Sequence, residues 1–377
     1  MPTTIPRPAD DSAPGLRALR HEVRRFLREE IEAGGYVPRV DAWMSGIDAE
    51  FSRRLAARGW VGMTIPKEYG GHGRTPMERF VVTEELLAHG APVGAHWIAD
   101  RQMAPSILKN GTEEQRHRHL PAIARAEAFF AIGMSEPDAG SDLAAVRTRA
   151  VPTGGGWLIS GTKIWTSAAH VAQAMIVLAR TDPGRRHDGL SQFVVDLPGP
   201  GITVRPVITL DGAHHFNEVV FDEAFVADTV LLGTRGQGWA QVTAELAYER
   251  SGPERVLSTY PLLAAWARTL RPEDSAERLE LGRLLSRLVV LRELSLAVAG
   301  RLSAGGAPSR EAALVKDLGT TFEGDLVEAV RRFARVRPGE ASDPLGRLLA
   351  DGVLHSPAFT LRGGTNEVLR SIVAKGM

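Results

Sequence analysis

The chain has 377 residues, of which 44% are hydrophobic and 24% charged, a composition typical of a soluble protein with two or three domains. Its 45 lysines and arginines balance 45 aspartates and glutamates, which argues against a nucleic-acid partner or an anionic membrane surface. The lack of cysteine excludes disulfides, thiolate metal sites, iron–sulfur clusters and a cysteine nucleophile. Residues 1–15 do not have the apolar core of a secretory signal, and no apolar run reaches about 18 residues, so we expect a cytoplasmic protein without membrane insertion.

The first 128 residues predict a helical domain. After a tail rich in Pro, Asp and Ser (1–14), apolar residues recur at spacings of three and four from Leu16 to Ile31. Further helices are predicted at 49–58, 76–87 and 95–108. Thr112, followed by Gln115 three residues later, has the capping-box pattern of another helix start.

Residues 129–235 predict a β domain. Short runs rich in β-forming residues occur at 157–159, 174–178, 192–195 and 218–221, separated by Gly, Pro and Asp turns. This pattern favours a small antiparallel sheet or barrel. Helical spacing returns at Gly238, and long runs at 276–302 and 311–333 predict that residues 236–377 form an antiparallel bundle.

The stretch 129–167 is the most informative part of the chain. An apolar run ends in the polar turn SEPDAGSD (135–142), and a later run ends in GTKIWTS (161–167). Trp165, followed by two hydroxyl residues, offers an apolar plate with hydrogen-bonding groups beside it, which suits a planar heterocycle. The alternative is a plain β-hairpin with a polar turn and a core tryptophan.

Other chemistries find little support in the sequence. There is no phosphate-binding G-x-x-x-x-G-K-[ST], no H-E-x-x-H and no G-x-S-x-G motif. The pairs His117/His119 and His214/His215 do not have helical ligand spacing, so we expect surface histidines and no metal site.

These motifs resemble the acyl-CoA dehydrogenase family of flavoenzymes. GWVG (59–62) with IPKEYGG (65–71), GTEEQ (111–115) and GGTNEVLR (363–370) extend the match in family order. The resemblance implies a multidomain α+β fold with an N-terminal all-α domain, a middle antiparallel β domain and a C-terminal four-helix bundle. It also implies FAD as cofactor, and oxidation of an acyl-CoA or acyl-carrier-protein thioester to the enoyl thioester in lipid or specialised metabolism. Electrons would pass to an acceptor protein.

Site residues follow from the resemblance position by position. It implies FAD contacts from three segments, namely Met134 and Ser135, then Trp165, Thr166 and Ser167, and finally Gly363, Gly364 and Thr365. Ser141 would line the acyl-CoA entrance. Thr365 could also cap the helix predicted at 367–372.

The catalytic base departs from the common family pattern. Most members carry a glutamate where this chain has Gly363, which has no proton acceptor. Some place the base on the first long C-terminal helix ahead of an arginine, which here is Glu249 before Arg250, with Arg250 assigned to the substrate. Glu254 is the alternative base, although Ser251–Gly–Pro–Glu254 resembles a capping box that would occupy it. Glu249 could also be an ordinary solvated carboxylate.

The subunit contacts also depart from the pattern. Family dimers bind flavin pyrophosphate with an Arg-x-x-Phe-Gly element and a later Gln. Arg278 and Gly282 match that element, but Leu281 replaces the Phe and Val289 the Gln. We therefore expect either a homo-oligomer with altered contacts or a heteromer with a second acyl-CoA dehydrogenase-like subunit.

Three readings remain open besides the dehydrogenase. The chain could be a flavin oxidase or a monooxygenase on the same scaffold, or a catalytically silent partner subunit. The sequence contains no run of basic residues that would clamp the phosphates of CoA, so CoA and a carrier protein are both open.

Overall fold

The computed structural model describes residues 11–184, 186–250, 252–306, 308–339 and 343–375, except for the side chains of 247–249. In chain order the helices are α1 (Pro14–Glu32), α2 (Ala42–Ser45), α3 (Ala49–Ala57), α4 (Pro76–Ala88), α5 (Gly94–Ile98), α6 (Ala104–Asn110), α7 (Glu113–Ala124), α8 (Gly238–Glu249), α9 (Tyr260–Thr269), α10 (Ser275–Ser303), α11 (Ser309–Phe333), α12 (Pro344–Phe359) and α13 (Asn366–Lys375). The strands are β1 (Phe130–Gly133), β2 (Arg149–Thr153), β3 (Gly156–Ser167), β4 (Ala174–Arg180), β5 (Leu190–Asp196), β6 (Ile202–Ile208), β7 (His214–Ala227) and β8 (Leu231–Leu232).

Backbone contacts divide the chain into two compact units. The helical unit comprises Met1–Gly46, Arg74–Val93 and Leu246–Met377, and the sheet unit comprises Ile47–Gly73 and Gly94–Glu245. The boundaries 1–128, 129–235 and 236–377 stay predictions. In the described ranges, no helix is both long and apolar enough to cross a bilayer.

In the helical unit, α11 packs against α9, α10, α12 and α13, and α4 packs against α1 and α10. The apolar stripe of α11 explains this arrangement, because Val315, Phe322, Leu326 and Val330 recur at helical spacing and are all buried. The predicted helices 276–302 and 311–333 match α10 and α11 to within two residues.

The sheet unit contains one mixed sheet with the strand order β6-β7-β3-β2-β4-β5-β8, and β1 pairs with β4. Strand β4 is buried on both faces. Ile176 packs with the cluster that includes helices α6 and α7, whereas Val177 packs with Trp157 and Phe193 on the other face. This double burial explains its unbroken apolar run.

Several local predictions are confirmed and others need correction. Thr112 and Gln115 form the predicted capping box of α7. The single helix predicted at 95–108 is divided, because the π-helical turn Ala99–Met103 separates α5 from α6. The middle domain is a β-sheet as predicted, but β4 pairs in parallel with β1 and β2. Strand β6 was not predicted; it contains Pro206 and lies at an end of the sheet, where proline is tolerated.

Candidate functional site

Trp165 is held in an unusual backbone conformation near the end of β3. Its φ is 59°, in the left-handed region, and the pairing of β3 with β7 shifts register between Lys163 and Thr166. For a residue with a Cβ this conformation costs about 1–2 kcal/mol, and such strain is common at functional sites. The indole is 56% exposed and stands edge-on to Phe216, with ring centroids 5.6 Å apart. The irregularity therefore presents a large apolar plate at the surface of the sheet unit.

The two residues after Trp165 differ in accessibility. The side chain of Ser167 is half-buried, whereas Thr166 is completely buried. The Thr166 carbonyl accepts a hydrogen bond of 3.0 Å from Asn217 Nδ2, and within the described ranges its Oγ1 has no hydrogen-bond partner. Of the two predicted flavin-edge hydroxyls, Ser167 is the one at accessible surface.

A buried ion pair fixes Met134 and Ser135 beside β3. Lys163 is fully buried, and its Nζ donates to the Met134 carbonyl at 3.1 Å and to Glu136 Oε1 at 2.9 Å. The Ser135 carbonyl accepts from the Ile164 N–H at 2.9 Å. Met134 and Ser135 remain half-buried, so the loop is rigid yet accessible.

The Glu136 carboxylate completes this support. It accepts the N–H groups of Arg147 at 2.6 Å and Thr148 at 2.8 Å. Burial lowers the pKa of Lys163 to about 8, against the opposing effect of the Glu136 charge. Sequence reasoning missed this pair, although both residues lie inside the quoted motifs. The available signal was a lysine between a threonine and an isoleucine, two residues before Trp165, in a segment predicted to be a strand.

The turn after this pair is open to solvent. Glu136 and Ala139 exchange backbone hydrogen bonds of 2.9 and 3.1 Å, which closes a tight turn around Pro137 and Asp138. Ser141, the predicted residue of the acyl-CoA entrance, is exposed. It can therefore contact a ligand at the surface of the sheet unit.

In the helical unit, the glycine loop before α13 is held by two cations. Gly363 and Gly364 have φ values of 70° and 91°. Arg250 Nε donates to the Gly363 carbonyl at 2.9 Å, and Lys316 Nζ donates to the Gly364 carbonyl at 2.7 Å. Thr365 Oγ1 accepts the Val368 N–H at 3.4 Å, the geometry of the predicted helix cap. The structure thus brings together Arg250 and the segment 363–365.

The two candidate bases lie close together in sequence. The side chain of Glu249 is outside the described part of the chain, and so is Ser251. Glu254 is buried in the 3₁₀ turn Pro253–Arg255, whose N-cap is Gly252 without a side-chain hydrogen bond. Because Ser251 lies outside the described residues, the capping box of Ser251 and Glu254 stays a prediction.

Arg278 lies on an exposed part of α10. Its Nη1 donates to the Pro272 carbonyl at 3.3 Å. Nearby apolar side chains of the same helix are also exposed, namely Leu279, Leu285, Val289 and Val290. This group is called the α10 face below.

The histidine predictions are confirmed only in part. His117 and His214 are exposed, but His119 is buried beside Phe130, and burial lowers its pKa to about 4. His119 was expected at the surface; instead it packs on the inner side of α7. Among the residues that the structure describes, no three His, Asp or Glu side chains are grouped as a metal site.

Comparisons with known proteins cover most of the chain. The family models "Acyl-CoA dehydrogenase, N-terminal domain" and "Acyl-CoA dehydrogenase, middle domain" match residues 14–127 and 131–224. The acyl-CoA dehydrogenase FadE29 of Mycobacterium tuberculosis is 32% identical, covering 97% of this chain and 96% of its own length. The solved "Tcur3481-Tcur3483 steroid ACAD" has a TM-score of 0.85 at 29% identity, covering 98% of this chain and 99% of that one. The ChsE4-ChsE5 complex from Mycobacterium tuberculosis has a TM-score of 0.81 at 28% identity, covering 97% and 98%.

Proposed function

This chain belongs to the acyl-CoA dehydrogenase family, and from that premise we propose that it oxidises an acyl thioester to its α,β-enoyl form with Glu249 as the base. The family depends on FAD, which accepts the β-hydrogen of the substrate as a hydride when bound. The protein's contribution is then to bind the cofactor, to orient the thioester and to remove the α-proton.

The residues present fit a flavin. The exposed indole of Trp165 suits the isoalloxazine ring, and the half-buried Met134, Ser135 and Ser167 suit its edges. In the helical unit, Gly363 and Gly364 allow close backbone approach, and they lie just before α13, whose N-terminus favours an anion such as the pyrophosphate of FAD. Thr365 belongs to the same segment.

The observation that carries the choice of base is the hydrogen bond from Arg250 to Gly363. Gly363 has no proton acceptor, yet its carbonyl lies 2.9 Å from Arg250 Nε. We therefore infer that Glu249, which precedes Arg250, lies near position 363, where most family members carry the glutamate. In this proposal, the carboxylate of Glu249 takes the place of the glutamate that is missing at position 363, and Glu249 removes the α-proton.

Glu254 is less suited to this role. It is 2% exposed, and its carbonyl accepts a hydrogen bond of 2.8 Å from Ser258 Oγ. The next residue, Arg255, packs its carbonyl against Gly319 of α11, where an added Cβ would meet that oxygen at 2.1 Å. These are backbone contacts that fix the turn, and the burial of Glu254 leaves its carboxylate little access to a thioester.

The test compares Glu249→Gln with Glu254→Gln. We expect Glu249→Gln to keep its flavin spectrum and its fold but to lose turnover by about 10²–10⁴-fold, the usual contribution of a general base. Glu254→Gln should keep turnover. The measurement is bleaching of the flavin absorbance after mixing with a panel of acyl-CoA thioesters.

Two outcomes would contradict this assignment: full turnover in Glu249→Gln, or loss of turnover confined to Glu254→Gln. The same preparation separates the alternatives. Rapid reaction of the reduced protein with oxygen would favour an oxidase or monooxygenase. Protein that binds flavin only when co-expressed with a second acyl-CoA dehydrogenase-like chain would favour a silent subunit.

A further inference from the structure

The histidine pair 214–215 belongs to a hydrogen-bonded network beside Trp165, a role that the sequence did not indicate. Strand β7 begins at His214, and its residue Asn217 is the register partner of Thr166 in β3. Asn217 is completely buried, and its Nδ2 donates to the Thr166 carbonyl at 3.0 Å. The contact joins residues 51 positions apart in the chain, so only the pairing of β3 with β7 creates it.

The backbone around Thr166 requires this kind of support. Trp165 and Ala168 have φ values of 59° and 56°, so two residues with a Cβ lie in the left-handed region within four positions. Strained residues persist only where the surrounding structure fixes them. Strand β7 supplies two such restraints, the Asn217 side chain on the Thr166 carbonyl and the His215 carbonyl, which accepts the Ala168 N–H at 2.9 Å. The position of the exposed Trp165 indole therefore depends on β7.

Two imidazoles fix the orientation of the Asn217 amide. A carbonyl can only accept, so the bond to Thr166 assigns the NH2 group of Asn217 to that side. Asn217 Oδ1 then accepts from His214 Nε2 at 2.8 Å, and Asn217 Nδ2 also lies 3.2 Å from His170 Nδ1. His170 Nδ1 must be an acceptor without a proton, because it faces a donor. In the neutral state each ring therefore has its proton on Nε2.

A positive charge on His170 opposes this network. The rings of His170 and His214 are stacked with their centroids 3.9 Å apart, so a proton on His170 would place its charge against a second imidazole. It would also direct a second donor, Nδ1–H, at the Asn217 NH2 group. Desolvation, with the charge of His214 as the next cause, lowers the pKa of His170. The network is therefore compatible with the neutral ring of His170.

Other ionisable groups lie on the elements that adjoin this network, namely His215 and Glu218 on β7, Arg205 on β6, Lys163 on β3 and Asp211 in the turn before β7. Glu218 pairs with Arg205 at 3.2 Å, and Lys163 pairs with Glu136 at 2.9 Å. Asp211 Oδ1 accepts the Ala213 N–H at 3.2 Å, and the His215 ring contacts Phe216. Among these imidazoles, the rings of His170 and His214 are the ones that contact Asn217.

From this geometry we propose that Asn217 is a positioning residue of the flavin site, and that it keeps Trp165 and Ser167 in place only while His170 is uncharged. The inference rests on the proposed function, in which Trp165 and Ser167 contact the flavin. Asn217 is completely buried and acts through the peptide group between Thr166 and Ser167, whose oxygen accepts its hydrogen bond. Acidification therefore loosens the segment 165–167 and weakens cofactor binding.

The first readout follows Trp165 in flavin-free protein labelled with 5-fluorotryptophan. The chain has seven tryptophans, and the fluorine NMR signal of Trp165 is the one missing from Trp165→Phe. In the wild type we expect this signal to be constant near neutral pH and to shift as the pH falls below about 6.5, the usual pKa of histidine. His170→Asn keeps an acceptor oxygen in place of Nδ1 but cannot be protonated. Its Trp165 signal should therefore stay at the wild-type position without the pH-dependent shift.

The second readout is FAD affinity, measured by titration of the flavin-free protein at neutral pH. Asn217→Leu removes the amide and keeps its size, whereas His214→Phe keeps a ring to stack on His170 and removes the donor to Asn217. We expect both variants to shift the Trp165 signal and to bind FAD about three- to tenfold more weakly, the effect of losing one hydrogen bond. If Asn217→Leu does not fold, His214→Phe decides, because His214 is exposed.

The matched control is His117→Phe, because His117 is an exposed histidine on α7 of the same unit. It should leave the Trp165 signal and the FAD affinity unchanged. An identical Trp165 signal in the wild type, Asn217→Leu and His214→Phe would overturn the proposal, and so would a pH-dependent shift that persists in His170→Asn. A signal that responds as expected in a wild type unable to bind FAD would support the network and contradict the proposed function.

Discussion

At the scale of single residues, two buried carboxyl groups of the helical unit, those of Glu323 and Asp41, have pKa values shifted in opposite directions. Glu323 is 1% exposed, and its Oε1 accepts the Ser258 N–H at 2.6 Å. Burial raises the pKa of Glu323 to about 8, the charge of Asp41 adds to this effect, and Arg362 opposes it. For Asp41, burial would raise the pKa, but contacts of 2.6 and 2.8 Å with Arg362 lower it to about 2. At neutral pH, Asp41 is therefore charged and Glu323 protonated.

This difference predicts a pH-dependent stability. The pKa of Glu323 is about 8 in the folded chain and 4.5 for the unperturbed group. Between these two pH values, the folded chain therefore holds a proton on Glu323 that the unfolded chain has released. Its stabilising contribution is complete below about pH 4.5 and is lost as the pH rises through about 8. The unfolding free energy falls by about 1.4 kcal/mol for each pH unit crossed between the two pKa values. Glu323→Gln, which stays neutral, should flatten this fall between pH 5 and 8.

The measurement is urea unfolding at several pH values. Glu328→Gln is the control, because Glu328 lies on the same helix α11 but is 47% exposed and pairs with Arg331. It should keep the pH dependence of the wild type. The same slope in Glu323→Gln and the wild type would show that Glu323 does not carry the effect.

At the scale of elements, the loop between α12 and α13 depends on glycine. At Gly364 the φ of 91° is in the left-handed region, and an added Cβ would lie 3.0 Å from Arg250 Nη2. Arg250 is buried and its Nε already donates to the Gly363 carbonyl, so it has little freedom to move away. Any side chain at 364 therefore disturbs both the backbone and the residue next to the proposed base.

Gly364→Ala should destabilise the protein by about 1–2 kcal/mol through the positive φ alone and should also lower FAD affinity. Gly324→Ala is the matched control. Gly324 lies inside α11 with no atom within 4 Å of an added Cβ, so alanine should stabilise the helix by about 0.5–1 kcal/mol. Thermal unfolding and flavin titration measure the two effects, and equal stability of both variants would contradict the prediction.

The ends of strands were harder to predict than the helices. Strands β3 and β7 extend well beyond the runs 157–159 and 218–221. Their additional residues mix buried, half-buried and exposed positions without a regular alternation, and both strands contain irregular pairing or a positive φ, as at Glu223 with 45°. Such a mixture produces no apolar run in the sequence, so the ends of these strands were not predicted. The helical spacing of apolar residues continues along most of α10 and α11, which made both helices easier to predict.

At the scale of the whole molecule, the α10 face is an unpaired surface in the described part of the chain. Leu279, Val289 and Val290 are each 59–60% exposed on one helix. Exposed apolar groups of this kind commonly mark subunit contacts. Arg278, expected to reach FAD across a subunit boundary, lies beside them. We propose a second acyl-CoA dehydrogenase-type subunit as the occupant.

Val289→Glu/Val290→Glu should therefore convert the assembled protein to single subunits, because charges cannot be buried unpaired in an interface. Light scattering during size-exclusion chromatography measures the mass, and circular dichroism checks the fold. Val37→Glu is the control, since Val37 is 57% exposed outside this helix. If the isolated wild-type chain is already monomeric, the same test is made on its complex with the co-expressed partner subunit. An unchanged mass of the assembly after mutation would contradict the prediction.

The sequence alone was sufficient for the family, the order of helical and β segments, the capping box of Thr112 and the candidate flavin residues. These features depend on local periodicity, on capping rules and on motifs of contiguous residues. Trp165 is recognisable because its neighbours in the chain identify it.

Only the tertiary structure decided which distant groups meet. Lys163 with Glu136, Arg250 with Gly363, and Asn217 with Thr166 are joined by strand register and helix packing, not by proximity in the chain. No single-sequence pattern encodes such pairs, because their energies arise from burial and from charges that become neighbours only after folding.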